Sequence, residues 1–261
     1  MIRYFVLAIV FCGIFTACFA GLSFLKPLFP PAYERWAHAL SGTAAAGLTT
    51  LLFLRLHKQR AAEVNLFLAK TTFRNFLLGL LIGIVLMGLL TTIIIQSAGL
   101  VLTPNTSHRL SFLLFIALPL IPMAFLEELA FRAYPFEVLK KYSGTRLAIL
   151  STSLLFALYH LANGWSIQDS FLGAGAWGML FGLAAAYSGG IAMPTGLHFG
   201  VNLTTAAFGA TENANSFWIL RRSDGTSAAN YQSSQLETLL PQIAILLTGI
   251  LLMEIYLRKK K

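Results

Sequence analysis

Charge is what this chain has least of: Asp, Glu, Lys and Arg make up 11% of its 261 residues, against about 25% in a soluble domain. Cysteine is nearly absent as well. Cys12 and Cys18 share one apolar stretch with no CxxC spacing, which leaves no disulfide framework and points to two small buried hydrophobes. No HExxH occurs, no long polar linker divides the chain, and no internal repeat or low-complexity tract interrupts it. One compact unit over 1–261 is therefore expected rather than two domains.

What fills the sequence instead is hydrophobic, 57% of residues with a mean hydropathy of +0.72. A membrane span needs about 20 mostly apolar residues, and on that criterion eight are expected: 4–24, 36–55, 76–98, 111–134, 146–163, 170–187, 190–209 and 238–257. The fold class is thus all-α, a polytopic membrane helical bundle of about eight transmembrane helices. The sixth, FLGAGAWGMLFGLAAAY, is short and rich in small residues, which suits a tightly packed interior helix. The first resembles a signal peptide, but its apolar run of near twenty residues exceeds a signal core, so a retained span is expected. KPLFPPAYER at 26–35 reads as a proline-stiffened turn, and Gly189–Gly190 as the tight turn between spans six and seven. Residues 61–75, AAEVNLFLAKTTFRN, mix apolar and basic positions, as either a short interfacial helix or an ordinary loop would.

The formal charge is +9, from 19 Lys and Arg against 10 Asp and Glu. The basic residues collect in connections (Arg55, Lys58, Arg60, Lys70, Arg74) and in the closing RKKK. That distribution speaks for a positive-inside role rather than nucleic-acid binding. It places the 56–75 connection, Lys140, Lys141, Arg146 and both termini in the cytoplasm. Arg221 and Arg222, on the long 210–237 connection, fall outside and break the rule.

Against this background one segment stands out. From 111 to 133 the chain reads SFLLFIALPLIPMAFLEELAFRA, and Glu127, Glu128 and Arg132 are its only formal charges. An ionised group deep in a bilayer costs several kcal/mol unless it is paired or faces a wet cavity, so three together mark a functional site. Glu128 and Arg132 are four apart on one helix face, in the favourable acid-before-base order. Glu127 points about 100° away and is left over, available as a proton acceptor. Pro119 and Pro122 just upstream are expected to bend the helix and open room for water beside it. A structural ion-pair staple or a proton-transfer pair in a transporter would use the same residues, although the paired repeats common in transporters are not visible.

Histidine adds the second part. His38, His57 and His108 belong to connections or a span end, whereas His160 and His198 fall within spans. Asn202 follows His198 on the same helix face. A leftover glutamate, two histidines and an asparagine on three helices make a candidate constellation.

These residues form three ordered motifs: EELAFR at 127–132 fits EExxxR, FALYH at 156–160 fits FxxxH, and HFGVN at 198–202 fits HxxxN. The set resembles the CPBP family of intramembrane proteases, which takes in CAAX prenyl endopeptidases and bacterial relatives linked to bacteriocin processing and self-immunity. The resemblance covers about 111–209. It implies peptide-bond hydrolysis in a cavity open to membrane and water, on a membrane-associated peptide or protein, in a multi-pass protein that resembles bacterial plasma-membrane members. Carried over, Glu127 is the general base, His160 orients the water, and His198 and Asn202 stabilise the oxyanion. Glu128, Arg132 and Phe156 brace the site. No cofactor is required on this reading. The alternative is a zinc site of Glu127, His160 and His198 with water in the fourth position; a further one is a non-catalytic bacteriocin-immunity protein that keeps the fold.

Overall fold

The computed structural model describes residues 2–105, 109–208, 216–222 and 235–259. The chain opens with α1 (Ile2–Ser23) and α2 (Glu34–Leu56). The proline-rich link between them forms two 3₁₀ turns, Lys26–Leu28 and Pro31–Tyr33, as the prolines at 27, 30 and 31 require. After α2 the 61–75 segment makes a 3₁₀ turn at Ala61–Val64 and then an irregular stretch, not an interfacial helix, until α3 (Thr72–Ser97) begins. Asn65, in the left-handed region at φ 56°, ends the 3₁₀ turn.

The fourth span is one run from Phe112 to Ser143 built of unlike pieces. A π-helical turn, Phe112–Ala117, leads into α4 (Leu118–Glu128). A second π-helical turn, Leu129–Ala133, connects α4 to α5 (Tyr134–Ser143). Pro119 and Pro122 remove two backbone donors here. Wider π turns take up such interruptions and rotate the side chains that follow. The remaining helices are α6 (Thr145–Ala162), α7 (Ala176–Ser188, entered through a π turn at Asp169–Gly175), α8 (Ala192–Ala207) and α9 (Gln235–Lys259). Gly189, at φ 68°, closes α7 in the expected tight turn.

Among the described residues seven helical stretches are long and apolar enough to cross a membrane. Seven of the eight expected spans correspond to them. The exception is 190–209, whose helix α8 has only 16 residues, about 24 Å of rise against a hydrocarbon core of about 30 Å. Its residues from Met193 to Val201 are all buried, so it lives inside the protein rather than against lipid. Its apolar composition records a protein interior, which hydropathy reads in the same way as a bilayer.

α8 lies along α3, and the contact is made by glycine on both sides. A methyl group on Gly79 would collide with the Met193 carbonyl, and one on Gly83 with the Leu197 carbonyl. One on Gly196 would strike the Phe76 carbonyl, and one on Gly200 the Leu80 carbonyl. Two GxxxG seams thus face each other backbone to backbone, the close approach small residues permit in membranes. The rest of α3 is largely exposed; of its 26 residues only Gly79, Gly83 and Thr91 are buried. At the far end the pair is tied by a two-stranded antiparallel ribbon of β1 (Leu100–Pro104) and β2 (Trp218–Arg222), in the register Leu102↔Leu220. This small sheet, in and near the long connection carrying Arg221 and Arg222, has no counterpart in the all-helical expectation.

The seam predicts that Gly200→Ala lowers stability by about 1–3 kcal/mol through overpacking. Gly88→Ala, on α3 where a methyl meets nothing within 4 Å, should change it by less than about 0.5 kcal/mol. Reversible unfolding in detergent, both variants beside wild type, measures the difference.

Candidate active site

Arg132 organises the centre. Its side chain is fully buried, as is that of Glu128, with Nε 3.4 Å from Glu128 Oε2 and Nη1 3.5 Å from Oε1. Those lengths describe an ion pair more than strong hydrogen bonds. The guanidinium gains further support from Nη2, which donates to the Gly178 carbonyl at 3.0 Å. It also gains support from the Phe156 ring, 4.6 Å from its central carbon. The expected pairing of Glu128 with Arg132 is thus present, and it extends to α7, where sequence reasoning had placed no site residue.

His198, on α8, joins the two glutamates. Its Nδ1 lies 2.9 Å from Glu128 Oε1, and its Nε2 lies 3.6 Å from Glu127 Oε2. A carboxylate oxygen accepts, so Nδ1–H is the donor in the short contact. The Nε2 corner of the same ring faces the Glu127 carboxylate. Glu127 keeps partial access, with 16% of its side chain exposed. The leftover carboxylate of the sequence pattern is therefore not solitary: it shares His198 with its neighbour.

His160 sits at the end of α6. Its Nδ1 lies 2.9 Å from the Phe156 carbonyl; a carbonyl only accepts, so Nδ1 carries the hydrogen and Nε2 is the nitrogen left for other partners. The edges of Phe156 and Trp165 each pack 4.5 Å from the ring. Asn202 stands one turn beyond His198 and is half-buried. Phe156 therefore touches Arg132, His160 and, at 6.0 Å, His198, a more central place than packing behind the site. Of the histidines set aside, His38 lies 2.7 Å from Lys26 Nζ and His57 lies 3.0 Å from the Tyr134 hydroxyl. His108 lies outside the described residues.

Among the described residues no group of three or more His, Cys, Asp or Glu side chains converges as a metal cage. The zinc arrangement of Glu127, His160 and His198 thus gains no support from the geometry.

A cavity of about 910 Å³ opens among residues near the cluster in sequence, although Glu127, His160, His198 and Asn202 are not among its walls. Its walls come from the start of α3, from Ile121, Pro122 and Phe125 of α4, and from the turn and first residues leading into α8. Phe125 and Thr195 are a turn or less from Glu127 and His198. The rim is the irregular 65–73 stretch, where Phe67, Leu68 and Phe73 are exposed and apolar beside Lys70. Pro122 thus lines open space, whereas Pro119 is buried.

Residues 108–204 match the family described as Type II CAAX prenyl endopeptidase Rce1-like, the grouping that the three motifs resemble. The match indicates an intramembrane protease embedded through its apolar helices. No curated protein matches the chain.

Truncating one partner of a buried ion pair strands the other. Arg132→Ala should therefore destabilise the fold by about 3–5 kcal/mol. Lower membrane accumulation and a lower detergent melting temperature than Arg146→Ala, which breaks the exposed pair with Glu254, are the expected results.

Proposed function

We propose that this chain hydrolyses a peptide bond of a membrane-associated protein or peptide with a water activated by Glu127. The observation that carries the reading is the Glu127 carboxylate facing the His198 Nε2 at 3.6 Å. A water whose hydrogen Glu127 Oε2 accepts there lies within reach of the same imidazole. Glu127 Oε2 takes a proton as the water oxygen bonds to the scissile carbonyl carbon. Nε2 of His160 accepts the water's other hydrogen, while the Nε2–H of His198 and the Asn202 amide donate to the negative oxygen of the tetrahedral intermediate. The proton on Glu127 then passes to the amine nitrogen as the C–N bond breaks. Glu128 and Arg132 do not exchange protons; they hold the His198 ring in place through its Nδ1.

The large cavity walled in part by α4, apolar for most of its lining, supports a substrate that brings a hydrocarbon portion with it. A prenyl group, as in the family's description, is one such chain. The basic residues flanking the 56–75 connection support a cytoplasmic rim and cytoplasmic termini.

In a cleavage assay with detergent-purified protein and a membrane-peptide library, Glu127→Gln should lower kcat by about 10²–10⁴-fold, the range for a lost general base. Its melting temperature should stay near wild type. Chelator should leave wild-type cleavage unchanged. Full activity in the glutamine variant would sink the assignment, and activity lost to chelator and restored by zinc would move Glu127 and the histidines to metal binding.

A further inference from the structure

No part of the three motifs lies on α7, yet α7 touches both halves of the charged cluster. Gly178 accepts from Arg132. One turn on, the ring of Phe181 lies face to face with the His198 imidazole, centroids 4.4 Å apart and planes inclined by 16°. The same phenyl ring is 5.5 Å from the Arg132 guanidinium. Phe181 is almost completely buried.

A hydrogen bond from Nδ1 to Glu128 sets where one corner of the imidazole points but leaves the ring free to tilt about that bond. Nε2 sweeps an arc during such tilting, and its distance to Glu127 changes with it. A flat partner stacked on the ring face removes the remaining freedom. With the plane fixed by Phe181 and one corner fixed by Glu128, the direction of Nε2 is determined. Offset-stacked aromatic contacts have a defined geometry, which an aliphatic side chain of similar volume does not impose.

We infer that Phe181 is a positioning residue for hydrolysis, locking the plane of His198 so that Nε2 stays aimed at Glu127. Gly178 serves the same helix face: a methyl there would sit 3.1 Å from Arg132 Nη2 and 3.3 Å from the Phe156 ring, so its absence lets α7 close on the cluster. The inference rests on the reading of His198 as part of the hydrolytic site. Its structural half, the stack, can be observed without any cleavage.

The test compares wild type, Phe181→Leu and Phe181→Tyr as full-length protein in detergent, with two readouts. The first is NMR of histidine labelled at the ring carbons, with the His198 signal assigned by its loss in His198→Gln. A stacked phenyl ring shifts the attached imidazole protons upfield. That shift should vanish in Phe181→Leu and persist in Phe181→Tyr. The second is cleavage kinetics: Phe181→Leu should lower kcat by about 10–100-fold, the scale for a misaligned reacting group, with KM unchanged, and Phe181→Tyr should recover most of the loss. An unshifted His198 signal in wild type overturns the stack. Wild-type kcat in Phe181→Leu, with the signal moved, overturns the positioning role while leaving the glutamate-water reading intact. Equal losses of kcat and melting temperature in both variants assign Phe181 to packing alone and also overturn it. If Glu127→Gln retains full activity, the hydrolytic reading itself has failed, whatever the His198 signal does.

Discussion

A guanidinium with no access to water must be compensated on every side, and the architecture around Arg132 follows from that requirement. Burying such a charge uncompensated costs several kcal/mol. Here the compensation comes from a carboxylate on the preceding turn, a carbonyl on α7 and an aromatic face on α6. The last two contributions pin α7 and α6 to the same point. Because Glu128 is committed to Arg132, it can also hold His198 from the other side without becoming available for chemistry. Glu127 keeps partial exposure, whereas Glu128 has none. Two adjacent residues of the same type meet different surroundings because the helix turns them apart.

The second requirement is to hold His198 at depth on a helix of only 16 residues. α8 achieves this by giving up side chains at Gly196 and Gly200 and lying directly on the α3 backbone, which gives up Gly79 and Gly83 in return. A helix anchored by backbone contact has little room to slide or rotate. The imidazole, projecting from between those two glycines, inherits that fixity. Hydrophobic burial alone would be a looser constraint, since apolar side chains repack.

Much of the centre was legible because charge in an apolar run is costly and therefore informative. Glu127, Glu128 and Arg132 announced themselves that way, and the i, i+4 spacing paired the right glutamate with the arginine. His160 and His198 were legible as intramembrane histidines. The bond from His198 to Glu128 was not, because it depends on the relative rotation of two distant helices and on π turns that periodicity does not register. Phe181 was invisible for a different reason: one more phenylalanine in an apolar helix looks like every other. The helix within 190–209 was legible but its burial was not, because an interior helix and a lipid-facing one share a composition. The facing GxxxG seams could have been read from positions 79, 83, 196 and 200. The β1–β2 ribbon carried no comparable signal.

The exposed Phe67, Leu68 and Phe73 at the mouth of the cavity give the protein an entrance made of the same material as the bilayer. A reactant that reaches Glu127 by that entrance arrives by diffusing in a plane. Its effective concentration is then molecules per unit area of membrane, so adding empty lipid at fixed protein and fixed reactant slows turnover by surface dilution. Two preparations with the same molar concentrations but different lipid content would not be kinetically equivalent.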